Sequence, residues 1–170
     1  RYFNPVGAHP SGLIGENPNN IPSNLMPYIL KVSLQNNSDI FIDELYKELK
    51  IYGNNYQTKD KTCIRDYIHV TDLAKGHISA LNNKKGGIKI YNLGTGKGTT
   101  VLELVKIFER VNNTKVPYRY VDRRDGDLEE VYCETEIANQ ELKWKSTLTL
   151  EDICKDAWNY QLNNNYINLQ

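Results

Sequence analysis

Arg65, Arg124 and Asp127 are the side chains of this 170-residue sequence best suited to hold a charged small molecule. A guanidinium stays charged at every relevant pH and presents a planar fork of N–H donors that matches phosphate oxygens. Two arginines brought from separate segments therefore suit a diphosphate. Taken singly, each has a plain structural reading. Arg65-Asp66-Tyr67 reads as a surface ion pair, and Arg123-Arg124-Asp125-Gly126-Asp127 reads as a solvated turn closed by glycine. The run Gly94-Thr95-Gly96-Lys97-Gly98-Thr99 is the other candidate for phosphate chemistry. It fails the P-loop pattern because position 91 is tyrosine, and it fails the dinucleotide spacing because Gly98 comes one residue early. A structural turn is the favoured reading, with an anion-binding helix start as the alternative.

Lys+Arg and Asp+Glu both number 21, so no wholesale nucleic-acid binder is indicated and any phosphate contact is local. No apolar run approaches the ~20 residues of a membrane span. His9, His69 and His77 share no metal-ligand spacing with each other or with Cys63, Cys133 and Cys154, so no metal site is expected. An odd number of scattered cysteines suggests no disulfide framework and fits a cytoplasmic protein. The chain opens on Arg1-Tyr2-Phe3, like the interior of a strand, which makes a piece of a longer protein the expectation.

The elements that must position these residues alternate between strands and helices, which predicts an α/β fold. Arg1 to Phe3 reads as a strand end broken by Asn4-Pro5, followed by a loop punctuated by glycine and proline. Asn24 is a candidate cap for a helix with Pro27 in its first turn. Asp66 to Val70 reads as a strand feeding a helix whose Leu73, His77, Ala80 and Leu81 share one face. Ile88 to Leu93 has the pattern of a buried strand, and Thr100 with Glu103 forms a capping box for the helix after it. Tyr118 to Val121 suggests a strand, Thr135 to Leu142 a short helix, and Thr149 with Asp152 the start of a last helix.

Several blocks resemble the UDP-glucose 4-epimerases of the extended short-chain dehydrogenase/reductase group. They are Arg1-Tyr2-Phe3-Asn4-Pro5-Val6-Gly7-Ala8-His9-Pro10-Ser11-Gly12, Asn24-Leu25-Met26-Pro27-Tyr28, Arg65-Asp66-Tyr67-Ile68-His69-Val70, Tyr91-Asn92-Leu93-Gly94 and Arg123-Arg124-Asp125-Gly126-Asp127. The resemblance covers essentially all of residues 1–170 and implies the C-terminal, substrate-binding part of a Rossmann-type fold whose N-terminal NAD-binding part is absent. It implies an isomerase that interconverts UDP-glucose and UDP-galactose by transient oxidation at C4, with NAD as cofactor and a homodimer as the full-length form. The family's catalytic tyrosine, lysine and serine or threonine are expected upstream, so this part alone should be inactive.

By matching position, Arg65 and Arg124 resemble the diphosphate clamps, and Asn4, Asn24 and the Leu25 backbone resemble contacts on the diphosphate side. Asp127 resembles a ribose hydroxyl acceptor, Tyr52 with Lys50 and Ile51 the uracil-stacking segment, and Tyr2 and Phe3 the wall of the nicotinamide. For Tyr2 and Phe3 the alternative is plain strand-core packing. Residues near 36–50 form an insertion relative to the family, expected to decorate the surface, its tail as an amphipathic helix. Val131 falls where the family tunes sugar size, and its small side chain implies that UDP-GlcNAc and UDP-GalNAc are also accepted. The alternatives are a 4,6-dehydratase, a uronate epimerase, or a noncatalytic nucleotide-sugar binding module.

Overall fold

The computed structural model describes residues 1–83 and 86–165. Strand β1 (Asn4–Val6) precedes the predicted loop and helix α1 (Leu25–Asn36), and a 3-10 turn (Glu44–Tyr46) precedes strand β2 (Leu49–Tyr52). Strands β3 (Ile64–Arg65) and β4 (Tyr67–His69) run into helix α2 (Val70–Asn82). Strand β5 (Thr99–Thr100) leads directly into α3 (Val101–Asn112), followed by β6 (Tyr118–Val121), β7 (Glu130–Val131), α4 (Glu136–Leu142) and α5 (Leu150–Asn165).

The fold is mixed α/β, as the alternation predicts. β1 pairs in parallel with β4, β2 pairs in parallel with β6, and β3 lies between antiparallel β5 and parallel β7. Parallel pairs need long crossovers, which bring residues far apart in sequence side by side: Tyr52 is in register with Val121, and Arg65 with Val131.

The main core lies between α1, α3 and α5, where Ile29, Val32, Leu104, Phe108, Ile153 and Cys154 are buried and Phe108 meets Trp158 edge-on with ring centroids 5.7 Å apart. Helix α3 begins at the predicted capping box, with Thr100 Oγ1 accepting from the Glu103 N–H at 3.2 Å. Helix α5 begins at Thr149 and Asp152, whose backbone N–H groups and side chains bond reciprocally. A smaller core under α2 gathers Ile68, Leu73, Leu93, Leu142 and Trp144.

Four expectations are corrected. Asn4-Pro5 does not end the first strand; it lies within β1, where Pro5 is tolerated because β1 has a single partner strand among the described residues. Ile88 to Leu93 forms no extended pairing, since only Leu93 bridges to Tyr2 and Ile88 is 95% exposed. A buried-strand pattern needs a neighbouring strand along its whole length, and among the described residues only Arg1 and Tyr2 lie beside Tyr91 and Leu93. On α2, Leu73 is buried and Ala80 packs on the small core, but His77 and Leu81 face outward, because the buried stripe passes through Asp72, Leu73 and Gly76. The tail of the insertion is a 3-10 turn followed by a strand rather than an amphipathic helix. It is also not mere decoration: Tyr46 and Leu49 are buried in the main core, with Ile42 and Leu45 packed against it.

Candidate functional site

A cavity of about 1140 Å³ opens where β1, the start of α1, β2 and β3 converge. Pockets that enclose drug-sized ligands run to roughly 1,000 Å³, so the space suits a long, extended molecule. Tyr2, Phe3 and Asn4 form one wall, Asn24 and Leu25 a second, and Lys50, Ile51 and Tyr52 a third, with Arg65 and Arg124 also on the lining. Tyr2 is 65% exposed in this chain, so no residue of the main core covers it. Asp127 and Val131 are not on the cavity wall.

Arg65 and Arg124 come together through Asp127. Arg65 donates to the Ile64 and Leu128 carbonyls at 2.7 and 2.9 Å, and its Nη2 is 3.4 Å from Asp127 Oδ1. Arg124 donates through Nε to Asp127 Oδ2 at 2.9 Å and through Nη2 to Oδ1 at 3.3 Å. One carboxylate thus holds two guanidinium groups at the cavity edge. The Arg124 guanidinium is partly desolvated, which alone would lower its pKa, but Asp127 outweighs this and raises it. Its carbon lies 4.9 Å from the centre of the Tyr52 ring.

The backbone supplies further donors. Leu49 and Gly53 donate to Pro117 and Val121 of the β6 segment at 2.7 and 2.8 Å. Alternation along the strand then turns the N–H and C=O groups of Lys50 and Tyr52 to the opposite edge, away from β6. At the start of α1, Asn24 occupies the cap position but makes no cap bond; its amide donates to Glu16 Oε1 at 2.9 Å. The first-turn N–H groups of this 12-residue helix are therefore not capped by Asn24, and Leu25 brings that turn to the cavity.

The glycine run serves another purpose. Asp66 is fully buried, and its carboxylate accepts the Thr95 N–H at 2.9 Å, the Thr95 hydroxyl at 2.6 Å, the Gly96 N–H at 3.0 Å and the Cys133 thiol at 3.2 Å. A Cβ on Gly94 would come within 2.3 Å of Cys133 Sγ and 2.7 Å of Asp66 Oδ2, so glycine is required for the chain to close on the carboxylate. The run is a structural turn built around an internal anion. Burial, reinforced by Asp66, pushes the Cys133 thiol up to about 12.

Sequence reasoning missed several lining residues. Cys63 lines the cavity two positions before Arg65, which the period-two alternation of a strand could have revealed. Leu45 and Glu48 line it from the insertion, for which no motif gave a signal. One Tyr-x-x-x-Lys spacing also exists, at Tyr46 and Lys50, but it does not lie on a helix face. Tyr46 ends a 3-10 turn, with its ring buried and its hydroxyl accepting from Lys31 at 3.3 Å, whereas Lys50 lies in β2. The pair has no shared face on which to act. Among the described residues no His/Cys/Asp/Glu group could hold a metal ion, and no helix is long and apolar enough to cross a membrane.

The profile of the NAD dependent epimerase/dehydratase family matches residues 1–94. A UDP-glucose 4-epimerase of Pasteurella multocida is 51% identical over 166 residues, covering 96% of this chain and 46% of the relative. Among solved structures, a UDP-glucose 4-epimerase from Stenotrophomonas maltophila with bound NAD and formylated UDP-arabinopyranose superposes with a TM-score of 0.89 at 44% identity, covering 98% of this chain and 48% of that one. The enzyme from Bifidobacterium longum in complex with NAD+ and UDP superposes with a TM-score of 0.87 at 44% identity, covering 97% and 47%. The chain spans about half the length of the curated relatives it matches. The strand-and-helix order, the arginine-lined cavity and a match extending over more than half of its residues together assign this chain to the NAD dependent epimerase/dehydratase family.

Proposed function

We propose that residues 1–170 are the substrate-binding part of a UDP-glucose 4-epimerase, an NAD-dependent isomerase that interconverts UDP-glucose and UDP-galactose. The observation that carries this reading is the convergence of Arg65 and Arg124 on one large cavity whose other walls offer strand backbone groups turned away from β6 and an aromatic ring. Arg65 and Arg124 take the diphosphate oxygens, helped by Asn4 and by the Asn24 and Leu25 start of α1, where N–H groups favour an anion. Tyr52 stacks on the uracil while the outward edge of Lys50 and Tyr52 pairs with its polar rim, with Ile51 supporting the strand from behind. Asp127 retains acceptor capacity beside its guanidinium partners and takes a ribose hydroxyl.

This division of labour suits the chemistry. A nucleotide held rigidly leaves the hexose free to turn, so that C4 can present either face without the sugar escaping. NAD, when bound, supplies the acceptor that takes hydride from C4 and returns it. Tyr2 and Phe3, aromatic and on the cavity lining, fit the role of walling its nicotinamide. The catalytic base and the rest of the cofactor site belong to a further part of the protein. Tyr2, Val70, Ile78, Leu81, Ile88 and Ile90 leave apolar surface exposed near that wall and on α2, which such an NAD-binding part would cover. Homodimerisation and a cytoplasmic location complete the proposal.

Assay of the full-length protein with UDP-galactose and NAD tests this reading: UDP-glucose should form, and residues 1–170 alone should form none. Absence of UDP-glucose with the full-length protein, or formation of a 4-keto-6-deoxy sugar instead, overturns it. Acceptance of UDP-GlcNAc and UDP-GalNAc rests on the small side chain of Val131 alone. No turnover of UDP-GlcNAc by a protein active on UDP-galactose would end that extension.

A further inference from the structure

We propose that Arg123, which is not on the cavity wall, is a positioning residue that fixes Arg124 for phosphate binding; this rests on the reading of Arg124 as a diphosphate ligand. The Arg123 guanidinium carbon lies 3.7 Å from the centre of the Tyr56 ring, and its Nε donates to Asn55 Oδ1 at 2.6 Å. Tyr56 is fully buried and its hydroxyl has no hydrogen-bond partner among the described residues, so packing rather than a polar tether holds the ring. Gly53 makes the approach possible. Its φ is +83°, and a Cβ there would lie 2.5 Å from the Tyr56 ring and 2.8 Å from Arg123 Cγ.

The two consecutive arginines therefore grip the two ends of one turn, Arg124 at Tyr52 and Arg123 at Tyr56. This grip matters because ladder pairing stops nearby. The register ends at Tyr52 with Val121, and the Gly53 N–H closes on the Val121 carbonyl at 2.8 Å. Beyond that point the 122–127 loop is held by the Arg123 clasp and by the bonds of Asp127 to Arg65 and Arg124. The Arg124 side chain is 55% exposed. Without the clasp, Arg124 would spend part of its time away from the cavity, and a ligand would have to order it on binding.

A lysine at position 123 would keep the charge but lose the planar stack and the guanidinium contact. The test measures dissociation constants for UDP and for uridine with the full-length protein carrying Arg123→Lys, Arg123→Gln, Arg124→Ala, or Arg124→Ala combined with either change at 123. Both Arg123 variants should weaken UDP about 10-fold while uridine changes less than about 2-fold, because the loss is confined to the phosphate contact. In the Arg124→Ala background the same changes should have no further effect on UDP. Retained uridine binding reports a folded site. UDP affinity unchanged in Arg123→Lys, a fall in uridine affinity matching that for UDP, or an undiminished loss in the Arg124→Ala background overturns the positioning role. Equal affinity of the unaltered protein for UDP and uridine overturns the diphosphate reading, and the role of Arg123 falls with it.

Discussion

Arg65 and Asp66 are neighbours in sequence, yet their charges meet opposite environments. Asp66 is saturated by donors from Thr95, Gly96 and Cys133 and is sealed from solvent. Arg65 keeps two carbonyl partners but meets Asp127 at only 3.4 Å, at the edge of an open cavity. A buried charge with all its partners inside the chain is structural, because any change leaves desolvated groups unpaired. A charge with a long, exchangeable partner beside open space can accept a ligand oxygen without dismantling the fold.

The difference can be broken most forcefully at Asp66. Asp66→Ala should cost on the order of 3 kcal/mol or more of stability in urea unfolding, since it strands several buried donors. Arg65→Ala should do the reverse. UDP affinity should fall at least about 30-fold, corresponding to about 2 kcal/mol, while stability falls by only about 1 kcal/mol. If Arg65→Ala destabilises as much as Asp66→Ala, the division into structural and ligand-facing charges fails.

Asp72 sharpens the comparison through pH. Its burial would raise the carboxyl pKa, but the Leu148 and Thr147 N–H groups with Lys75 hold it below the usual value of 3.8. A folded pKa below the unfolded one stabilises the protein above pH 3.8, and that contribution is lost as pH falls through the lower, folded value. Asp72→Asn should therefore be less stable than the unaltered protein at neutral pH, and the gap should narrow in acid. A gap that widens as pH falls would contradict this sign. The smallest effect concerns thiols. With Cys133 pushed up to about 12 and buried, mass spectrometry after brief alkylation at pH 8 should find it unmodified in the folded state and modified in urea.

Much of this arrangement is legible in the sequence. The helix starts at Thr100 and Thr149 follow from local capping chemistry, and the two arginine segments follow from residue type. Partners set by distant pairing are not legible. Asp66 meets Thr95 and Cys133 only after crossovers of 29 and 67 residues, so the glycine run and the acid look unrelated until the chain folds. The exposed Ile88 and Ile90 mislead in the opposite sense, because a strand pattern declares a need for pairing without supplying the partner. Asp127 shows a third limit. Its type suggests an acceptor for a hydroxyl, whereas its geometry also makes it the link between Arg65 and Arg124.

A crystal structure of the full-length protein with UDP tests the central claim most directly. The account predicts the diphosphate between Arg65 and Arg124, the uracil against Tyr52, and at least one guanidinium released from Asp127 to a phosphate oxygen. UDP bound elsewhere, or bound in this cavity with both arginines still paired only to Asp127, would contradict it.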